Sequence, residues 1–248
     1  MMSFIDPTTL ILASIIVFFG ALTQSLIGFG VAVVASPLLY IVNPQLVPVP
    51  IIVMGFAISA MTLFRERGHL QFNGLQYALL GRIPGGFAGA GLLLFAPQAI
   101  LGLIIAAIVY IAVILSVYKV TAPINRISLF IAGIFSGIFG NIAAIGGPPM
   151  AILLAGQDAN QFRAALSAFF VFSSLIALGI LAAVGLVEIK HLWLSLMLLP
   201  SVIGGYLVSG LLINHVDKNK TRTATLILCT ISATILVAKS IMALINLN

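Results

Sequence analysis

Gln24-Ser-Leu-Ile-Gly28-Phe-Gly30-Val-Ala-Val-Val-Ala-Ser36-Pro37-Leu38 lies inside a long apolar stretch, yet carries the residues a helix tolerates least. A second such stretch follows, Gly137-Ile-Phe-Gly140-Asn141-Ile-Ala-Ala-Ile-Gly146-Gly147-Pro148-Pro149-Met150. Sliding one onto the other superposes Gly28 on Gly140 and Pro37 on Pro149. Unwound backbone survives in hydrocarbon only where protein or a water-filled cavity satisfies its polar groups. Broken helices in matching places of two hydrophobic halves point to a transporter's binding site.

Composition sets the frame for that reading. The chain has 248 residues, 62% hydrophobic and 6% charged, whereas a soluble domain is about a quarter charged. Apolar segments of about 20 residues, enough to span a bilayer, follow one another with short loops, so the chain is an integral membrane protein with the lipid bilayer as its partner. The net charge of +6 comes from Lys and Arg scattered singly or in small groups between these segments. That is the pattern of juxtamembrane anchors, not of a nucleic-acid interface. The single Cys229 excludes an internal disulfide. The N-terminus lacks the basic region of a signal peptide.

Eight hydrophobic blocks are expected, near 8–42, 46–64, 74–95, 97–118, 127–156, 162–187, 190–213 and 222–246. As one straight helix the first would measure about 50 Å, against a hydrocarbon core of about 30 Å. The first and fifth blocks, which hold the Gly/Pro breaks, therefore read as two half-helices or hairpins. A further pair of matching segments, Gly85-Gly86-Phe87-Ala-Gly-Ala-Gly91-Leu92-Leu93 and Gly204-Gly205-Tyr206-Leu-Val-Ser-Gly210-Leu211-Leu212, lies two blocks after each break. The fold expected is all-α and polytopic, with a first repeat over 1–120 and a second over 121–248. Each repeat opens with a broken helix or hairpin followed by three transmembrane helices. Counting both breaks as hairpins puts Arg65, Arg67, Lys119, Arg126, Arg163, Lys218, Lys220 and Arg222 on one face, with Lys190 the main exception. This obeys the positive-inside tendency, and it makes the second repeat inverted.

The candidate binding residues cluster at the breaks. Gly28, Gly30, Gly146 and Gly147 permit turns and close approach of a ligand to the backbone, while Pro37, Pro148 and Pro149 remove donors and keep the helices from re-forming. Half-helix ends with free N–H groups suit a small anion, and Gln24, Ser25, Ser36 and Asn141 add polar side chains. The competing reading makes these Gly and Pro residues shape kinks and packing only. Arg82 lies seven or eight residues inside the third block. It is either an intramembrane anion ligand or an anchor that snorkels about 10 Å to the interface. Gly81, Gly85 and Gly89, with Ser201, Gly205 and Ser209, form small-residue faces for packing between the halves or between two subunits of a homodimer.

Other chemistry is not expected. Asp6, Glu66, Asp158, Glu188 and Asp217 all fall in or beside loops, so no mid-membrane carboxylate offers a proton relay. His69, His191 and His215 are not spaced as a metal cluster, no phosphate-binding loop occurs, and no nucleophile has a His partner. The reading is of a transporter, not an enzyme, with neither cofactor nor metal.

The two breaks and the Gly-rich helix two blocks after each resemble the sulfite exporter TauE/SafE family, over nearly the whole chain. The resemblance implies transport of sulfite, sulfoacetate or a related small organosulfur anion across the prokaryotic plasma membrane, usually outward. Many members carry a Gly-Gly-Gly run at the first break, where this chain has Gly28-Phe29-Gly30-Val31-Ala32. An anion channel of the same fold and a subunit of a larger complex are the other readings.

Overall fold

The computed structural model describes residues 5–27, 31–70, 74–118, 121–212 and 218–246, and among them no strand occurs. In the first half α1 covers Pro7–Ile27, α2 Val31–Val42, α3 Val49–Glu66, α4 Leu75–Phe95 and α5 Gln98–Val117. The second half repeats this order: α6 Arg126–Ala143, α7 Gly147–Leu154, α8 Ala159–Ala183, α9 Ile189–Leu212 and α10 Lys218–Ile245. Among the described residues eight helices are long and apolar enough to cross a membrane; α2 and α7 are not. At about 1.5 Å per residue they reach only about 18 and 12 Å. Each over-long block is thus a full helix followed by a short one. Gly28 and Gly30 lie outside the described residues.

Side chains and caps explain the two reversals. The first N–H of α2, on Val31, donates to Oε1 of Gln24 in α1 at 3.1 Å. Gly20 lies so close to Val31 that a Cβ there would sit 3.1 Å from the Val31 carbonyl oxygen, so α2 folds back on α1. In the second half α6 closes on Ala144, at φ 59°, a conformation that costs a non-glycine residue roughly 1 kcal/mol. The cap is held by the Ile145 N–H on the Phe139 carbonyl at 3.3 Å, and by the Ser136 hydroxyl on the Gly146 carbonyl at 2.7 Å.

The prolines act differently from expectation. Pro37 lies inside α2, which continues past it; its missing N–H withholds an intrahelical donor from the carbonyl four residues back, that of Val33. Pro148 and Pro149 occupy the first turn of α7 and start that helix, where a missing N–H costs nothing. They interrupt the fifth block by beginning a new helix after the reversal at Ala144, not by stopping an old one.

The helices pack chiefly as α4 on α6, α1 on α9, α3 on α8 and α5 on α10. Exchanging the halves leaves this set of pairs unchanged. Gly81, Gly85 and Gly89 of α4 lie against the carbonyls of Phe130, Ile134 and Ile138, so α4 and α6 run parallel. Gly205 lies against Phe18, and the Ser209 hydroxyl donates to the Ser25 hydroxyl at 2.6 Å, so α9 and α1 are parallel too. The small-residue faces therefore join helices of one chain across its two halves. With lipid outside as apolar as leucine, close van der Waals approach of this kind drives association. Phe19, Phe87, Phe95, Trp193 and Leu211 are exposed on the outer helix faces, where acyl chains would lie.

One end of the bundle is basic. There the C-terminal ends of α1, α3, α5 and α9 meet the N-terminal ends of α4, α6, α8 and α10, through Arg65 on Ser25, Arg163 on Glu66, Arg126 over Tyr77 and Arg222 on Ser116. At the opposite end Asp6 caps α1, accepting from the Thr9 N–H at 2.8 Å and the Thr9 hydroxyl at 2.6 Å. These bonds hold its carboxyl below the ordinary carboxylate range.

Candidate functional site

The first residues of α2 and α7 face each other across a cavity of about 40 Å³ at the middle of the bundle. A water needs about 10–15 Å³ on this measure, so the space suits a few waters or one small oxyanion. Val31, Ala32 and Val33 contribute one half-helix N-terminus and Gly146 and Gly147 the other; both positive ends point inward. The mid-helix residues Ser59 of α3 and Ser173 and Ser174 of α8 complete the polar wall.

Arg82 enters this cavity from α4. It is 3% exposed, so it does not snorkel. Its Nε donates to the Ser173 carbonyl at 3.2 Å; its Nη1 donates to the Ser136 carbonyl and, at 3.2 Å, to the Ser136 hydroxyl. Gly140 makes room for the guanidinium, since a Cβ there would lie 2.4 Å from Nη1. Among the described residues no carboxylate pairs with Arg82 and nothing accepts from Nη2. A buried cation without a counter-ion is costly.

The other candidates divide. Gln24 lines the cavity, but its amide is engaged at both ends, by the Val31 N–H and by donation to the Ser59 hydroxyl at 3.3 Å. Ser36 donates to the Ala143 carbonyl, tying α2 to the end of α6 and so one break to the other. Asn141 donates to the Gly86 carbonyl at 2.9 Å, while its Oδ1 is buried without a partner. Gly146 and Gly147 line the cavity; Ser25, Pro37, Pro148 and Pro149 do not. Ser25 instead joins α1 to α9 and accepts from Arg65 at 3.3 Å. Sequence reasoning missed Ser59, Ser173 and Ser174, which line the cavity, and Ser136, which holds Arg82.

Glu66 sits at the end of α3, beside a loop as expected, yet it is buried there. It is 7% exposed and paired with Arg163 at 3.2 Å and Arg65 at 3.3 Å, tying α3 to α8 at the basic end. Removing one partner of a buried pair is more damaging than removing both. Glu66→Gln is expected to cost about 3 kcal/mol, and Glu66→Gln with Arg163→Gln less than the single change. Unfolding curves of the purified variants check this order.

A bundle of eight membrane-crossing helices, with two short helices meeting nose to nose over a buried arginine, has the build of a multi-pass membrane transporter. The chain belongs to the sulfite exporter TauE/SafE family, whose model matches residues 13–236. Membership implies a membrane exporter of sulfite or a related anion. No curated protein and no solved structure was found to match.

Proposed function

We propose that the chain is a secondary exporter of sulfite, sulfoacetate or a related small organosulfur anion across the prokaryotic plasma membrane. The substrate occupies the central cavity between the two breaks, where Arg82, the half-helix N-termini and the serine hydroxyls receive it. The observation that carries this reading is the buried Arg82 guanidinium at the cavity without a carboxylate partner among the described residues. Residues 1–120 and 121–248 act as inverted repeats that rock about this point. In support, the packing pairs survive exchange of the halves. Moreover α6 parallels α4, while α4 runs opposite to α3: Ala90 near the end of α4 and Val49 and Ile52 at the start of α3 share one apolar cluster with Ala177 and Ile180 of α8.

The basic end faces the cytoplasm under the positive-inside tendency. An interior-negative potential then favours anion exit by about 2.3 kcal/mol per charge per 100 mV, which lets export run without a coupling carboxylate. Proteoliposomes loaded with labelled sulfite test this. Expected is saturable efflux that shows counterflow and accelerates when a potassium-diffusion potential makes the loaded side negative. Flux that ignores the potential and follows a proton gradient would sink the uniport mechanism. Flux without saturation or counterflow would favour a channel of the same fold.

A further inference from the structure

The central cavity does not use every cation among the helices. Arg222 of α10 donates to the carbonyl of Ser116, near the end of α5, and lines a second cavity of about 490 Å³ that, among the described residues, no acidic side chain borders. Leu115, Ile152 and Phe162 are among its apolar walls, and Thr121 and Gln157 add polar groups to it.

The depth of this vestibule gives it a role. It is also lined by Ile27 and Pro148, which flank the first and second breaks. Val31, the next described residue after Ile27, and Gly147, beside Pro148 in the first turn of α7, line the central cavity. The two spaces therefore adjoin at the end of α1, the start of α2 and the first turn of α7. A narrow extension bordered by Ile27, Val33 and Cys229 also touches Arg222, and Val33 in turn lines the central cavity.

We propose that Arg222 forms an outer oxyanion site in this vestibule, occupied before the anion reaches Arg82. The proposal rests on the transport reading above. The vestibule is far larger than one oxyanion, so the ion stays partly hydrated, and the site collects anions by field more than by close coordination. A free oxyanion and the phosphate of an anionic lipid share this chemistry, and an apolar groove along Val117, Ile227 and Ile231 also reaches Arg222.

The test needs no transport. Ala155, which is exposed and lines the vestibule, is replaced by Cys in nanodiscs of zwitterionic lipid. Its alkylation by methanethiosulfonates of equal size and opposite charge is compared. Buried Cys229 sets the background, measured on the parent chain. The anionic reagent should react about tenfold faster than the cationic one, and sulfate should slow it. Arg222→Gln should bring the ratio near one, and Arg222→Lys should keep most of it. A ratio indifferent to Arg222→Gln overturns the site. Protection by added phosphatidylglycerol but not by sulfate overturns the free-anion form in favour of a lipid headgroup. A chain that moves no sulfite yet shows the charge ratio would overturn the transport reading while leaving the outer site intact.

Discussion

Arg82→Gln lowers saturable sulfite counterflow at least about 100-fold while the protein still elutes as a folded species. The size follows from the bonds at stake. A charge-assisted hydrogen bond contributes roughly 1.5–3 kcal/mol, and an anion at the cavity would lose both that bond and its only full countercharge there. About 2.7 kcal/mol corresponds to 100-fold. Stability moves less, because two effects oppose each other. The carbonyls of Ser136 and Ser173 lose donors, whereas a buried, unpaired cation is removed. Arg82→Lys keeps the charge but not the fork: one ammonium cannot span both carbonyls and still face the ligand. An intermediate loss, about tenfold, is expected there. Counterflow assays beside size-exclusion profiles decide it, and wild-type flux in Arg82→Gln would remove the central cavity from the mechanism.

What could be read from the sequence was whatever depends on local chemistry. Gly and Pro inside apolar blocks mark α1/α2 and α6/α7 as interrupted, because no straight helix accommodates that length. The spacing of Gly81, Gly85 and Gly89 marks a packing face for the same kind of reason. What could not be read depends on depth and on neighbours from elsewhere in the chain. Arg82 snorkels or points inward according to which helix covers it, and α6 does so only after folding. Ser136 and Ser173 look like any membrane-helix serine until Arg82 reaches their carbonyls. Glu66 sits at a helix end in sequence, but Arg163, 97 residues away, makes it buried. Ala144 is the least legible point of all, since the reversal falls on an alanine although glycines stand two and three residues later.

Gly85→Ala should be among the most destabilising single-methyl changes at the described glycines, by about 3 kcal/mol. A Cβ at Gly85 would lie 2.0 Å from the Ile134 carbonyl oxygen and 2.7 Å from its carbon. Both are backbone atoms, so no rotamer can yield, and the two helices must part. Overpacking of this kind costs typically 1–3 kcal/mol. The upper end applies here because the glycine contacts on either side are as close: a Cβ at Gly81 or Gly133 would lie 2.1 Å from the carbonyl oxygen of Phe130 or Ala78, and these contacts must open with it. Function should suffer too, for α4 carries Arg82 and α6 carries Ser136 and Gly140, so that same spacing sets the guanidinium geometry at the cavity. Gly91→Ala is the control on the same helix. Nothing lies within 4 Å of its Cβ position, and the gain in helix propensity makes it neutral or stabilising by about 0.5 kcal/mol. Thermal unfolding of both variants in detergent separates close packing from propensity. Equal midpoints would mean that α4 and α6 are held apart in solution and that the glycine face does not set the position of Arg82.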